Sequence, residues 1–256
     1  MNLVQHIWRS TLGRKYLMAG TGALLFLFLI GHLAGNLQIF GPPDLINAYA
    51  HFLKSKPGLV WGARLGLLVV VGIHIASAIS LSAQSRAARP VPYAGAKAAY
   101  AAPLNSRTML VSGLVILAFV IYHLAHFTAL LPSINGVGDF RQLETNLPNG
   151  IRTHDVYSMM VLGFSVWWVA LFYLIAQGLL FMHLSHGLSA MFQSLGMRNH
   201  TWWPRITLFA KVASVALFVG YASIPIAILG GLGKETAAKA RHELQHPTTS
   251  GKGVGH

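Results

Sequence analysis

Five stretches of this chain stay apolar for long enough to cross a hydrocarbon core of roughly 30 Å, which takes about 20 helical residues. They run over Tyr16–Phe40, Leu59–Ser85, Thr108–Leu131, Val156–His183 and Ile206–Leu232. A membrane barrel needs short segments of alternating polarity, so helices are the spanning structure these runs allow. The charge count agrees. Only 10% of the 256 residues are charged, against about 25% in ordinary soluble domains, too few to coat a water-exposed surface. A soluble enzyme is excluded on that ground. The first run follows Arg9, Arg14 and Lys15 as a signal peptide would. It is, however, about twice as long as a signal h-region and reads as a retained span. The expected fold is therefore all-α, an integral membrane bundle of five transmembrane helices over residues 1–232, with a flexible polar tail over 233–256. No repeat period emerges.

The net charge is +13. Such a balance can signal nucleic-acid binding, but the basic residues sit at the borders of apolar runs, which is how a membrane protein is anchored. With the N-terminus inside, the inner segments carry Arg9, Arg14, Lys15, Arg86, Arg89, Lys97, Arg107, Arg198, Arg205 and Lys211. The short outer segments carry Lys54, Lys56, Arg64, Arg141 and Arg152, and the tail adds four more. The excess favours a cytoplasmic N-terminus and an outer C-terminus. Cysteine is absent, which removes disulfides, thiolate metal sites, iron–sulfur ligation and covalent haem attachment from this chain.

Ionisable residues inside spans are costly and mark function by default. The spans hold His32, His74, His123, His126 and His183, with His186 just beyond the fourth. A single such histidine is more often a hydrogen-bonded packing residue than a ligand; the distribution changes that, because each of the first four spans supplies at least one. His32 lies 17 residues beyond Lys15 and His123 lies 16 beyond Arg107. At 1.5 Å per residue both fall roughly 24–26 Å from the inner border. The second and fourth spans run the opposite way. There His74 lies 12 residues before Arg86 and His183 lies 15 before Arg198, in the inner half. Four histidines thus sort into an outer pair and an inner pair. Paired imidazoles on facing helices suit a six-coordinate haem iron. Spacing alone leaves His183 and His186, or His123 and His126, as alternatives at i and i+3. The carboxylates of a hydrolytic zinc helix are missing.

Phe28-Leu29-Ile30-Gly31-His32-Leu33 with Asn36, Ile73-His74, Ser112-Gly113 before Tyr122-His123, and Phe181-Met182-His183 before Gly187-Leu188 together resemble the cytochrome b subunit of succinate dehydrogenase/fumarate reductase. The likeness is to its five-helix, single-polypeptide, dihaem type and covers about residues 10–230. It implies two haems b in the bundle core: an outer haem iron held by His32 and His123, and an inner one held by His74 and His183. His186 then lies one turn closer to the cytoplasm. It further implies a flavoprotein subunit with FAD and an iron–sulfur subunit as partners. This chain would exchange electrons with a membrane quinone, menaquinone for this subtype, in a bacterial inner membrane. Some members carry a glutamate two residues before the fourth-span ligand; here that position is Phe181, so a glutamate-based proton path is not expected.

Asn36, Gln38, Asn47 and His51 cluster at the outer end of the first span and in the loop after it and form a candidate quinone region, or simply satisfy the loop backbone. Arg86, Arg89, Lys97 and Arg107 read as positive-inside anchors before docking or propionate contacts. Trp202-Trp203 suits an aromatic belt, whereas Trp167-Trp168 is expected in the core. Two other readings accommodate the same histidines: a haem b anchor of a hydrogenase or formate dehydrogenase, and a transporter with a histidine proton relay. The second lacks visible repeats or broken helices.

Overall fold

The computed structural model describes Trp8, residues 10–88 and residues 109–246. Arg9, Arg89, Lys97, Arg107 and the last ten residues, all part of the charge and tail readings above, lie outside the described residues. Helix α1 spans Thr11–Asn36 and runs into a 3₁₀ turn, Leu37–Phe40. It begins at Ser10, whose hydroxyl accepts from the Gly13 amide at 2.9 Å and so satisfies one of the orphan donors of a helix start. A short helix α2, Pro43–Lys54, starts on a proline, where the missing amide costs nothing. Then come α3, Pro57–Ala87, and α4, Met109–Phe127.

A two-stranded antiparallel hairpin follows, β1 Glu144–Asn146 with β2 Arg152–His154, paired Thr145 to Thr153. Helix α5 covers Val156–Ser165, capped by the Asp155 carboxylate on the Ser158 amide. After it run α6, Trp167–Ser194, α7, Trp203–Leu229, and α8, Lys234–Gln245.

Among the described residues, five helical stretches are long and apolar enough to cross a membrane: Thr11–Phe40, Pro57–Ala87, Met109–Phe127, Trp167–Ser194 and Trp203–Leu229. The chain is thus a multi-pass membrane protein by length and composition. Leu27, Leu65, Leu68, Val111, Ile121, Leu208 and Val219 are all exposed on these helices; in water such a surface would drive aggregation, and in lipid it is the ordinary solvent-facing side.

Three expectations need correction. The fourth span starts at Trp167, not Val156, because Val166 takes an extended backbone (ψ 106°) and ends α5 as a separate buried helix. The apolar run is unbroken through this point, so composition carries no mark of the break. Trp167 and Trp168 consequently stand at the start of α6 and are exposed, at 68% and 42%, instead of lying in a core. The tail after residue 232 is helical through Gln245, because Gly233 adopts the left-handed region (φ 70°) that turns the chain and Ala240 is buried.

The chain divides into two compact units. One comprises 1–33, 58–117 and 177–219; the other comprises 34–57, 118–176 and 220–256. The second has a dense core of Ile39, Ile46, Phe140, Leu143, Tyr157 and Leu162 with the rest of α5. All six carboxylate side chains (Asp44, Asp139, Glu144, Asp155, Glu235 and Glu243) belong to the second unit, so the first contains none.

Candidate cofactor site

Within the first unit, His74 on α3 and His183 on α6 lie in electrostatic reach of one another. Each ring is held the same way. Thr21 Oγ1 on α1 is 3.1 Å from His74 Nδ1, and Ser112 Oγ on α4 is 3.2 Å from His183 Nδ1. The residue after each hydroxyl is a glycine. A Cβ on Gly22 would come within 3.5 Å of His74 Cε1, and one on Gly113 within 3.4 Å of His183 Cε1. The two imidazoles therefore lie flush against helix backbone, each with a hydroxyl at one nitrogen.

Thr21 Oγ1 is 2.7 Å from the Leu17 carbonyl, one turn back in its own helix, and 3.1 Å from His74 Nδ1. A hydroxyl has one proton: with it on the Leu17 carbonyl, Oγ1 accepts from His74 Nδ1–H and Nε2 is left a lone pair. Ser112 Oγ repeats the arrangement, 3.1 Å from the Met109 carbonyl and 3.2 Å from His183 Nδ1. An imidazole whose Nδ1–H is tied down and whose Nε2 is unprotonated is the form that ligates a metal.

Two imidazoles are the donors this arrangement offers, which is the donor chemistry a haem iron takes. Among the described residues no three His, Cys, Asp or Glu side chains converge on one point. Ser77, three residues after His74, is fully buried and its Oγ has no hydrogen-bond partner; a buried hydroxyl left so costs about 1–3 kcal/mol and belongs where a further polar group is bound. Arg14, buried at the start of α1, is bonded to Ser80 of α3. It puts positive charge on the side of His74 where α3 ends.

His32 and Thr21 share α1, and His123 and Ser112 share α4. In both helices eleven residues separate the hydroxyl from the histidine. Eleven residues are almost three whole turns and about 16 Å, so each histidine lies on the face of its helix that carries the clamp, further out. The pattern Thr21-Gly22…His32 recurs at the same spacing as Ser112-Gly113…His123. His32 stands four residues before the end of α1 and stacks on Phe28, with ring centroids 5.3 Å apart. His123 stands four before the end of α4.

His126 is fully buried in the second unit, and the Tyr173 hydroxyl lies 3.1 Å from its Nδ1 and 3.3 Å from His123 Nδ1. His186 lies on α6 one turn beyond His183; its carbonyl accepts from Ser189 Oγ at 3.1 Å. Of the proposed quinone region, Asn47 is buried, with Nδ2 donating to Asp155 at 3.1 Å and Oδ1 accepting from the Tyr157 amide at 3.0 Å. Both its polar atoms are thus engaged in fixing α5. Asn36, Gln38 and His51 are half-buried; the Gln38 carbonyl accepts from Gly41 and the His51 carbonyl from Ser55. Thr21, Gly22 and Tyr173 lie against these histidines, and sequence reading passed over them. The hydroxyl-glycine pair at a fixed distance before a histidine was the available signal.

Comparison with protein-family models, with curated proteins and with solved structures finds no match for this chain.

Proposed function

We propose that this chain is the dihaem cytochrome b membrane anchor of a succinate:quinone oxidoreductase, the succinate dehydrogenase/fumarate reductase type that its histidine pattern resembles. The observation that carries the reading is the inner pair: two imidazoles, each fixed at Nδ1 by a helix hydroxyl that also backs onto glycine. His74 and His183 would hold the inner haem; the outer one is assigned to His32 and His123 on the resemblance alone. The haems supply one-electron carriage across the membrane. The protein's own part is to present unprotonated Nε2 atoms, to keep carboxylates away from the inner pair and to exclude water from it.

The partners follow from the same reading. An iron–sulfur subunit carries electrons between this chain and a flavoprotein that holds FAD, on the cytoplasmic side where the N-terminus lies. A quinone, menaquinone for the subtype, exchanges electrons with the anchor in the bacterial inner membrane. A hydrogenase or formate dehydrogenase anchor would share the haems and differ in its partner. The test is affinity purification of the tagged chain from its native membrane. Co-purification of a flavoprotein and an iron–sulfur protein, with succinate- or fumarate-linked quinone turnover, is expected. Recovery of a hydrogenase or formate dehydrogenase catalytic subunit instead overturns the assignment.

A further inference from the structure

Inside the second unit, a recess of about 510 Å³ lies between the end of α5, the end of α7 and the start of α8. Clefts that take small ligands run from roughly 300 to 1,000 Å³. One wall is apolar: Ile228 and Leu229 are the last residues of a membrane span. Leu229 is exposed, and so is Ile226 one turn earlier on α7. The opposite wall is a single face of α8. Lys234, Ala237, Ala238 and Arg241 all line the recess, at i, i+3, i+4 and i+7, the spacing of residues stacked on one side of a helix. The two cations stand two turns apart, about 10 Å along the axis, and the alanines between them leave the gap open.

Nothing in the protein neutralises this face. No carboxylate lines the recess, although Glu235 and Glu243 belong to the same helix. Among the described residues neither Lys234 nor Arg241 forms an ion pair. Lys234 is also the first residue of α8, where the positive end of the helix dipole disfavours a cation. Local structure thus argues against a lysine at this position, and an anion beside it reverses the argument.

We propose that the recess binds the headgroup of an anionic phospholipid in the leaflet where α7 leaves the membrane. The phosphodiester lies over Ala237 and Ala238 between Lys234 and Arg241, and the acyl chains run along Leu229 and Ile226. A cation pair at the border of a span, next to an apolar wall that starts at the same level, matches a molecule charged at one end and apolar at the other. A soluble anion would use the first feature and leave the second idle. The site is independent of the haems, and its occupant ties α8 to the membrane surface.

The test titrates the complex, purified in a neutral detergent, with phosphatidylglycerol and reads bound lipid by native mass spectrometry. Phosphatidylcholine and inorganic phosphate are titrated in parallel. A basic residue near a membrane surface is worth about fivefold in affinity for anionic lipid. Lys234→Gln and Arg241→Gln are therefore each expected to weaken phosphatidylglycerol about fivefold, and the double variant about 25-fold. Lys239→Gln, on α8 but outside the recess, should bind as wild type does. Ala238→Glu sets a carboxylate between the cations at an exposed position and should also lose the lipid; it decides the matter if the double variant does not assemble. Equal affinity of wild type for the two lipids, or an unchanged affinity in the double variant, overturns the proposal. Inorganic phosphate bound as tightly as phosphatidylglycerol makes this a site for a soluble anion and overturns it too. So does loss of a partner subunit from the double variant with no lipid preference in wild type, which makes the face a protein contact.

Discussion

Replacing Thr21 by valine keeps the shape of the side chain and removes only its hydroxyl. Thr21 is buried and its Oγ1 lies 3.1 Å from His74 Nδ1, so the imidazole loses its hydroxyl partner and keeps the Met18 carbonyl. The net loss of one such hydrogen bond is about 0.5–1.5 kcal/mol, which is about 2- to 12-fold in an equilibrium constant. The cost falls on the ligating tautomer of His74. The inner haem should therefore bind more weakly by a factor in that range. The imidazole also becomes a poorer electron donor, which disfavours ferric iron and raises the inner midpoint potential. Haem content per chain at limiting haem, followed by redox titration, reads both effects. Gly22→Ala is the control: its Cβ would sit 3.5 Å from His74 Cε1, an ordinary contact, and should leave the haem in place. If Thr21→Val retained the inner haem with unchanged affinity and potential, the clamp would be incidental packing.

Three further outcomes follow from the second unit. Asn47→Ala orphans the buried Tyr157 amide and the bond to Asp155; thermal unfolding in detergent should register a loss of about 1–3 kcal/mol, with haem content of the folded fraction unchanged. Gly233→Ala puts a Cβ 2.8 Å from Val161 Cγ2 at φ 70°, which adds about 1–2 kcal/mol of backbone strain and should speed proteolysis at Lys239 and Arg241 as α8 lifts. His154 in β2, outside the spans, has its pKa held below the ordinary 6.5, first by burial and then by the charge of Lys54, against weaker pulls from the Leu143 carbonyl, Asp155 and Glu144. The unfolded chain therefore takes up this proton first. The stability it contributes is full above pH 6.5 and is lost as pH falls towards the folded value. The unfolding midpoint of wild type should drop more between pH 7.5 and 5.5 than that of His154→Gln.

The five spans were legible in the sequence because lipid demands length and apolarity, and both are written in composition. Their ends were less so. The break at Val166 comes from one extended residue within a run of apolar side chains, and nothing in hydropathy distinguishes α5, buried against protein, from α6, facing lipid. Likewise α8 is polar overall, and a few small contacts from Ala237, Ala240 and Leu244, after the left-handed Gly233, tie it down. The four histidines stood out as costly residues in apolar surroundings. Thr21 and Ser112 did not, since a hydroxyl in a membrane helix bonds to its own backbone and leaves no hydropathy signal. Their role emerges only when a neighbouring helix brings an imidazole to the oxygen. The pair His123 and His126 is similar: spacing made them equivalent, and the packing of Phe127, Phe140 and Gly163 around His126, which buries it more deeply, carries no mark in the sequence.

The central claim is that His74 and His183 are the two axial ligands of one of two haems b. The direct measurement is the dithionite-reduced minus oxidised spectrum, with haem quantified per polypeptide, for the wild-type complex and for His74→Ala and His183→Ala separately. Two b-type haems in the wild type, and loss of the same one in each variant with the other intact, is the expected result. A wild-type complex without b-type bands, or variants that lose different haems, would contradict it.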